Sequence, residues 1–424
     1  MANIIGGIAT SHTPTIGFAV DKKKQDEPSW SPIFEGYKPM QAWLKEKDVD
    51  VIFYIFNDHM TSFFIDHYSH FALGVGEEFP VADEGGGPRD LPPLKGHTAM
   101  AAHIAKCLTT EEFDLSYFQN KPLDHGCFSP LSAILPYEPD WPVKVIPLQV
   151  GVLQSPSPSA ARCYKLGQAL GRAIRSFTEN LNVVVASTGG LSHQVHGERC
   201  GFNNTEWDME FMRLLEEEPE KLSHYTIADL VKLGGAEGAE IVMWLIMRGA
   251  LDGQVNCLHK SYYLPSMTGI ASLIFEPSEK FDDQEIGEHY QALINKQLEG
   301  IETVDGTYPL TIESGVKAFR INNFLHQLIK PAFRSEFLTK PSSCYARFDL
   351  TEEEIRMIEE LDWIGMIRYG VIFFMLEKLG AVIGVSNIDI YASMKGLTVD
   401  EFQQTRNAQV TYSVAGKEKL SSFK

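Results

Sequence analysis

Four runs of apolar, largely β-branched residues constrain the fold of this chain more than any other feature. They are Ile4–Ala9, Val49–Phe56 (VDVIFYIF), Val143–Val150 and Val183–Ala186 (VVVA), and they are continuous rather than alternating. A run that stays apolar at successive positions has no side to give to water, so it reads as a strand covered by helices on both faces. Helical patterns such as Ala160–Phe177 lie between the runs. The expected fold class is α/β, a domain with a central sheet flanked by helices. Ligands in such sheets collect beyond the carboxyl ends of the strands. Thr10-Ser11-His12 follows the first run, Asn57-Asp58-His59 the second, and Ser187-Thr188-Gly189-Gly190 the fourth.

The chain has 424 residues, which at roughly 150 residues per domain allows two to three domains. Residues 277–300 are polar and acidic and read as a linker followed by a solvated helix. Residues 311–383 are helical by pattern, punctuated by Pro331, Pro341 and Gly380. Thr351-Glu352-Glu353-Glu354 is a capping box. Residues 362–379 read as one strongly apolar helix, central to a small, mostly α-helical domain. The expected domains are therefore 1–280 and 300–424. Asp83–Pro93 (DEGGGPRDLPP) is a Gly/Pro-rich loop long enough to border a site.

Lys and Arg total 37 against 56 Asp and Glu, a net charge of −19. Phosphate binding needs surplus cations, so neither nucleic acid nor an anionic membrane surface is an expected partner. The six Cys form no CxxC pair, which excludes a disulfide framework or zinc ribbon and fits a reducing compartment. The N-terminus lacks a basic start and long apolar run, and no stretch nears the ~18 apolar residues of a membrane span. A soluble cytoplasmic protein is expected.

His12 and His59 with Glu240, in Gly234-Gly235-Ala236-Glu237-Gly238-Ala239-Glu240, make a two-His, one-carboxylate set. Such a set holds Fe(2+) on one face and leaves positions open for substrate and O2, whereas thiolates would favour zinc or an iron–sulfur cluster. Taken singly, a His after a strand can be a capping residue, and Glu240 a solvated helix residue. His125, in Asp124-His125-Gly126, and His193, in Leu191-Ser192-His193-Gln194-Val195-His196-Gly197, sit in polar, Gly-bearing turns. There a His can serve as a general base or simply stabilise a loop.

Together the stretches GGIATSHTPT, FNDHMTSFF, DHG at 124–126, STGGLSHQVHG at 187–197, FNNTEWD at 202–208 and GGAEGAE at 234–240 resemble the protocatechuate 4,5-dioxygenase family. These are the type II (class III) extradiol ring-cleavage dioxygenases. The resemblance covers residues 1 to about 275 and matches the catalytic β subunit. FRINNFLH (319–326), DWIGMIRYGVIFFMLEKL (362–379), NIDIYASMKGL (387–397) and TRNAQVTYSVAGK (405–417) resemble the small α subunit.

The resemblance implies roles residue by residue. His12, His59 and Glu240 would be the iron ligands. His193 would be the catalytic base and His125 a second active-site His. Thr268, in LPSMTG, would contact the substrate, as would Glu377, Tyr391 and Tyr412 from the helical part. In this type of enzyme that part can cover a neighbouring chain's site, which implies a homodimer and leaves open whether these three residues act in cis or in trans. The fused order, β-like part before α-like part, implies gallate as the aromatic substrate and 4-oxalomesaconate as the product. Protocatechuate and 3-O-methylgallate are the alternative substrates. A non-catalytic protein on the same fold would lack a ligand or the base, and all four residues are present. A zinc hydrolase on the same His/His/Glu set would need a polarised carbonyl and a zinc-bound water.

Overall fold

The computed structural model describes residues 1–279 and 283–406, and the chain divides into two units, Met1–Glu299 and Gly300–Lys424. The strands of the first unit are β1 (Asn3–Thr10), β2 (Val51–Phe56), β3 (Phe71–Gly74), β4 (Glu78–Phe79), β5 (Leu94–Lys95), β6 (Ser116–Phe118), β7 (Lys144–Val150), β8 (Asn182–Thr188), β9 (Val255–Tyr263) and β10 (Ile270–Pro277). Eight of them form one sheet in the order β6-β3-β7-β2-β8-β1-β10-β9, and β4 pairs with β5. Strands β7, β2, β8 and β1 run parallel, while β10 and β9 extend one edge antiparallel.

The four central strands are the four apolar runs of the sequence. Every residue of β2 is buried, because helices cover both faces. Two adjacent glycines on β1 show the layers. A side chain at Gly6 would meet Trp43, on helix Ser31–Glu46, and one at Gly7 would meet Met247, on helix Val242–Leu251. Full burial of a Val or Ile contributes about 1.5–3 kcal/mol, so these strands form a stiff platform beneath the loops at their carboxyl ends.

Helix Asp283–Gln297 differs from the solvated helix expected there. Tyr290 and Ile294 are buried, and the Tyr290 hydroxyl donates to Glu111, at the end of helix Thr98–Thr110. An apolar pair four residues apart gives an otherwise charged helix one docking face.

The described residues of the second unit form helices and their connections. Phe324 sits at its centre, with ring centroids 5.5–5.7 Å from those of Phe333, Phe337, Tyr345 and Phe348. The Thr351 capping box forms in full. Pro331 and Pro341 each open a helix, but Gly380 lies inside helix Phe373–Ile383 rather than ending one.

The single apolar helix expected over 362–379 is instead two, Trp363–Tyr369 and Phe373–Ile383. Gly370 breaks it, with φ of 118°, a left-handed conformation that an L side chain resists. A side chain there would also come 2.7 Å from the Ser314 carbonyl. The Asn322 carboxamide satisfies both groups that the break frees. Its Nδ2 donates to the Gly370 carbonyl at 3.0 Å, and its Oδ1 accepts from Ile372 N–H at 3.1 Å. Among the described residues no helix is long and apolar enough to cross a membrane.

Candidate metal centre

Strand β8 lies between β1 and β2, and all three are parallel, so their carboxyl ends share one edge of the sheet. The loop after β1 carries His12 and the loop after β2 carries His59. The two rings therefore flank the end of β8, with centroids 5.1 Å apart. Glu240 arrives from the other direction, on a short 3-10 helix, Glu237–Ile241. Two bonds fold this segment onto the β8 loop: His193 N–H to the Gly234 carbonyl at 2.8 Å, and Gly238 N–H to the His193 carbonyl at 3.2 Å. Glu240 is consequently only 3% exposed, not a solvated helix residue.

The hydrogen bonds fix which nitrogen of each imidazole is free. The Thr188 hydroxyl donates to the Ile55 carbonyl at 3.1 Å, so it accepts from His12 Nδ1–H at 3.0 Å. Asp124 Oδ2 accepts from His59 Nδ1–H at 2.8 Å and from His59 N–H at 2.7 Å, while its Oδ1 accepts from Gly126 N–H at 3.0 Å. In its neutral form each ring thus keeps an Nε2 lone pair. His12 Nε2 lies 3.3 Å from Glu240 Oε2. The carboxylate also accepts from Gly190 N–H at 2.9 Å and from Asn57 Nδ2 at 3.4 Å.

Burial pushes His12 below 6.5, against the pull of Glu240. Burial alone would raise the Glu240 carboxyl, whereas positive charge on the surrounding imidazoles, His12 first, would lower it, and the balance favours the ionised form. A lone pair facing an ionised carboxylate in a buried site repels unless a cation lies between them. One donor atom from each of His12, His59 and Glu240 lies within 4.8 Å of the others. The set contains only imidazole nitrogen and carboxylate oxygen, which suits Fe(2+) and other divalent ions of intermediate hardness. His59, Asp124 and His125 form a second cluster of similar size. There Asp124 and the Nδ1 atoms of both His residues already serve in hydrogen bonds, so the first set is the better metal site.

The other candidate residues of the first unit stand around this centre. His193 is buried and its Nδ1–H donates to the Leu191 carbonyl at 2.7 Å, which leaves Nε2 as an acceptor. Gly190 joins His193 to the metal set. Its N–H serves Glu240, and a side chain on it would come 2.5 Å from His193 Cε1 and 2.8 Å from Thr268 Cγ2. Only glycine lets Glu240, His193 and Thr268 close around this point. Thr268 also lines a cavity of about 480 Å³ with Thr13, Trp30 and Tyr263. His125 stacks on His59, with centroids 4.0 Å apart, and binds Glu84 from the 83–93 loop.

In the second unit, Glu377 is half-buried and accepts from Asn387 Nδ2 at 2.6 Å. Tyr391 stacks on Phe373 at 5.5 Å and lines a cavity of about 790 Å³ with Asn387, Ile388 and Phe402. Tyr412 lies outside the described residues.

Sequence reasoning missed four groups that build the centre: Asp124, Thr188, Asn57 and Glu84. Each was adjacent to, or inside, a stretch singled out for something else. Asp124 precedes His125, Thr188 ends the fourth apolar run, Asn57 begins the Asn-Asp-His turn and Glu84 lies in the glycine loop.

Comparison with known proteins gives a consistent picture. The family described as the catalytic LigB subunit of aromatic ring-opening dioxygenase matches residues 6–275. The LigA subunit of aromatic-ring-opening dioxygenase LigAB matches residues 321–407. Gallate dioxygenase of Pseudomonas putida is 56% identical over 337 residues, spanning 80% of this chain and 99% of that protein. A 2,3-dihydroxyphenylpropionate/2,3-dihydroxicinnamic acid 1,2-dioxygenase of Klebsiella pneumoniae is 31% identical over 184 residues, 43% of this chain and 55% of that protein. One of the same description from Photorhabdus laumondii is 24% identical over 313 residues, 63% of this chain and 94% of that protein.

Proposed function

The chain belongs to the family of catalytic LigB subunits of aromatic ring-opening dioxygenases, and from that premise we propose that it opens the ring of gallate with O2, using Fe(2+) held by His12, His59 and Glu240. The observation that carries the metal reading is the His12 Nε2 lone pair facing the ionised Glu240 carboxylate, with a donor atom of His59 within 4.8 Å of both. Gallate is favoured over other catechols by the relative named gallate dioxygenase, which this chain matches almost end to end.

Bound in this set, iron(II) supplies a Lewis acid that lowers the pKa of a chelating ring hydroxyl and an open position for O2. The chain's own groups do the rest. His193, with its proton held on Nδ1 by Leu191, takes the second hydroxyl proton at Nε2. His125 offers a further Nε2 beside His59. Thr268, packed against the same Gly190 as His193, contacts the ring's substituents. Opening beside the diol gives 4-oxalomesaconate.

The helical unit extends the reading to a homodimer in a cytoplasmic catabolic enzyme. In it, Glu377, Tyr391 and Tyr412 meet the substrate held by a neighbouring chain. Glu377 then faces the ring hydroxyls, because an ionised Glu would repel the benzoate carboxylate.

Oxygen uptake by Fe(2+)-loaded protein, purified without air, tests this against gallate, protocatechuate and 3-O-methylgallate. Uptake should be fastest with gallate. No uptake with any of the three removes the dioxygenase reading, and preference for protocatechuate replaces the substrate.

A further inference from the structure

We propose that Glu84 is a positioning residue that sets which ring nitrogen of His125 carries the proton. The consequence for turnover rests on the ring-opening reading above, whereas the tautomer does not depend on any substrate.

Glu84 grips His125 twice. Its Oε2 accepts from His125 N–H at 3.0 Å, and its Oε1 accepts from His125 Nδ1–H at 2.5 Å. An ionised carboxylate has no proton to give, so the proton of a neutral imidazole is drawn to Nδ1, and Nε2 keeps its lone pair. The backbone N–H in this pair opens helix His125–Ile134 and would otherwise lack a partner. The same carboxylate therefore caps the helix and sets the ring. His125 stacks on the metal-facing His59 at an interplanar angle of 27°, so the ring that carries this acceptor stands beside the metal set.

The loop that carries Glu84 is fastened on both sides of it. Asp83 Oδ1 accepts from Gly85 N–H at 2.8 Å and from Gly87 N–H at 3.0 Å, closing the turn after Glu84. Further on, Arg89 forms a bidentate pair with Asp21 and donates to the Phe128 carbonyl at 3.1 Å and to Ser132 Oγ at 3.0 Å. Phe128 and Ser132 lie on the helix that begins at His125. Loop and helix are thus tied at two points, and Glu84 cannot drift relative to the ring it holds. His193 has the same proton arrangement, but the carbonyl of Leu191, two residues away in its own loop, imposes it. Of these two rings, His125 is the one whose proton a side chain holds in place, so one substitution can reverse it there.

Glu84→Gln is that substitution. A carboxamide has one acceptor oxygen and one NH2 donor, and it cannot accept both bonds. With its oxygen on the helix N–H, its NH2 meets Nδ1, and the proton moves to Nε2. His125 then donates where it had accepted.

The test uses full-length protein with ¹⁵N-labelled His, loaded with zinc as a diamagnetic stand-in, with the His125 signals assigned by their loss in His125→Asn. The parent should show Nδ1–H and Glu84→Gln should show Nε2–H. In Fe(2+)-loaded protein the same variant should lose kcat for gallate by roughly 10²-fold, with KM within about threefold and metal content unchanged. A loop with a merely structural role would leave the tautomer and kcat alone or lower metal content with them. An Nε2–H tautomer in the parent, or the same tautomer in parent and variant, overturns the proposal. If gallate is not turned over at all, the proposed function fails while the nitrogen signals still decide the role of Glu84.

Discussion

His12 and His59 face the same carboxylate and are held in opposite ways. His12 is almost wholly buried and gives its Nδ1 proton to a neutral hydroxyl, Thr188. The His59 side chain is 28% exposed and gives its proton to the buried carboxylate of Asp124. Burial pushes His12 below 6.5. Burial also works against a charged His59, but the hydrogen bond and charge of Asp124 outweigh it and hold His59 above 6.5. Both arrangements leave Nε2 as the nitrogen for a metal, that of His12 3.3 Å from Glu240 and that of His59 3.5 Å from Asn57 Nδ2. One does so by excluding water from a neutral ring, the other by backing the ring with a counter-charge that makes it a more basic ligand.

The difference is sharpest if each partner is replaced by an isostere. Asp124 accepts three hydrogen bonds, two from His59 and one from Gly126. In Asp124→Asn an NH2 must face one of these donors, and the counter-charge is lost. Metal affinity should fall toward the upper end of the roughly 10–100-fold seen when such partners are removed. Thr188→Val removes a neutral acceptor and should cost about tenfold or less, at most about 1.4 kcal/mol. Competitive metal titration measures both. Equal losses would erase the distinction between the two sides, and a larger loss at Thr188 would invert it.

The same contrast explains what the sequence revealed. The strands were legible because burial on both faces forbids alternation, and the parallel order then placed His12 and His59 at one edge. The groups behind them were not legible. His59 and Asp124 are 65 residues apart and His12 and Thr188 are 176 apart, and no local pattern signals such pairs. Glu240, taken by residue type alone, resembled a solvated helix residue. Only the fold of the 234–241 segment onto the His193 loop buries it. In the helical unit the misread was local. Gly370 stood inside an apolar run, and the run's composition concealed a break that Asn322, 48 residues away, completes.

Proton competition should separate the two ligands as well. Burial would raise the Asp124 carboxyl, but its bonds to His59 and the charges of His59 and His125 hold it below 3.8. In the metal-free protein, Asp124 therefore contributes stability that is present above about 3.8 and is lost as pH falls through its depressed value. His59, raised above 6.5, contributes stability that is complete below 6.5 and is lost as pH rises through its raised value. A metal at His59 Nε2 must displace this proton, so affinity should fall about tenfold per pH unit below the raised value. His12, already neutral, adds no such loss near neutrality. Asp124→Asn should move the midpoint of metal binding to lower pH, and Thr188→Val should leave it in place. Binding curves between about pH 5 and 8 measure this. A midpoint unmoved in Asp124→Asn would show that the carboxylate does not govern His59.

The smallest effect is expected in the helical unit, where a carboxylate is proposed to touch substrate rather than metal. Glu377 accepts from Asn387 Nδ2, and a Gln at this position keeps an oxygen for that bond, so the unit should fold unchanged. What Glu377→Gln removes is charge. A hydroxyl donating to an ionised carboxylate makes a bond about twice as strong as a neutral one, so KM for gallate should rise several-fold, by about 1 kcal/mol of lost binding. Metal affinity should not move, in contrast to Asp124→Asn. Protocatechuate, which lacks the third hydroxyl, should be affected less than gallate. Steady-state kinetics with both substrates separate the outcomes. Unchanged gallate turnover and KM would remove Glu377 from the substrate. An equal loss for both substrates would mean that the carboxylate does not read the third hydroxyl, and the preference for gallate would then have to arise beside Thr268 and His193.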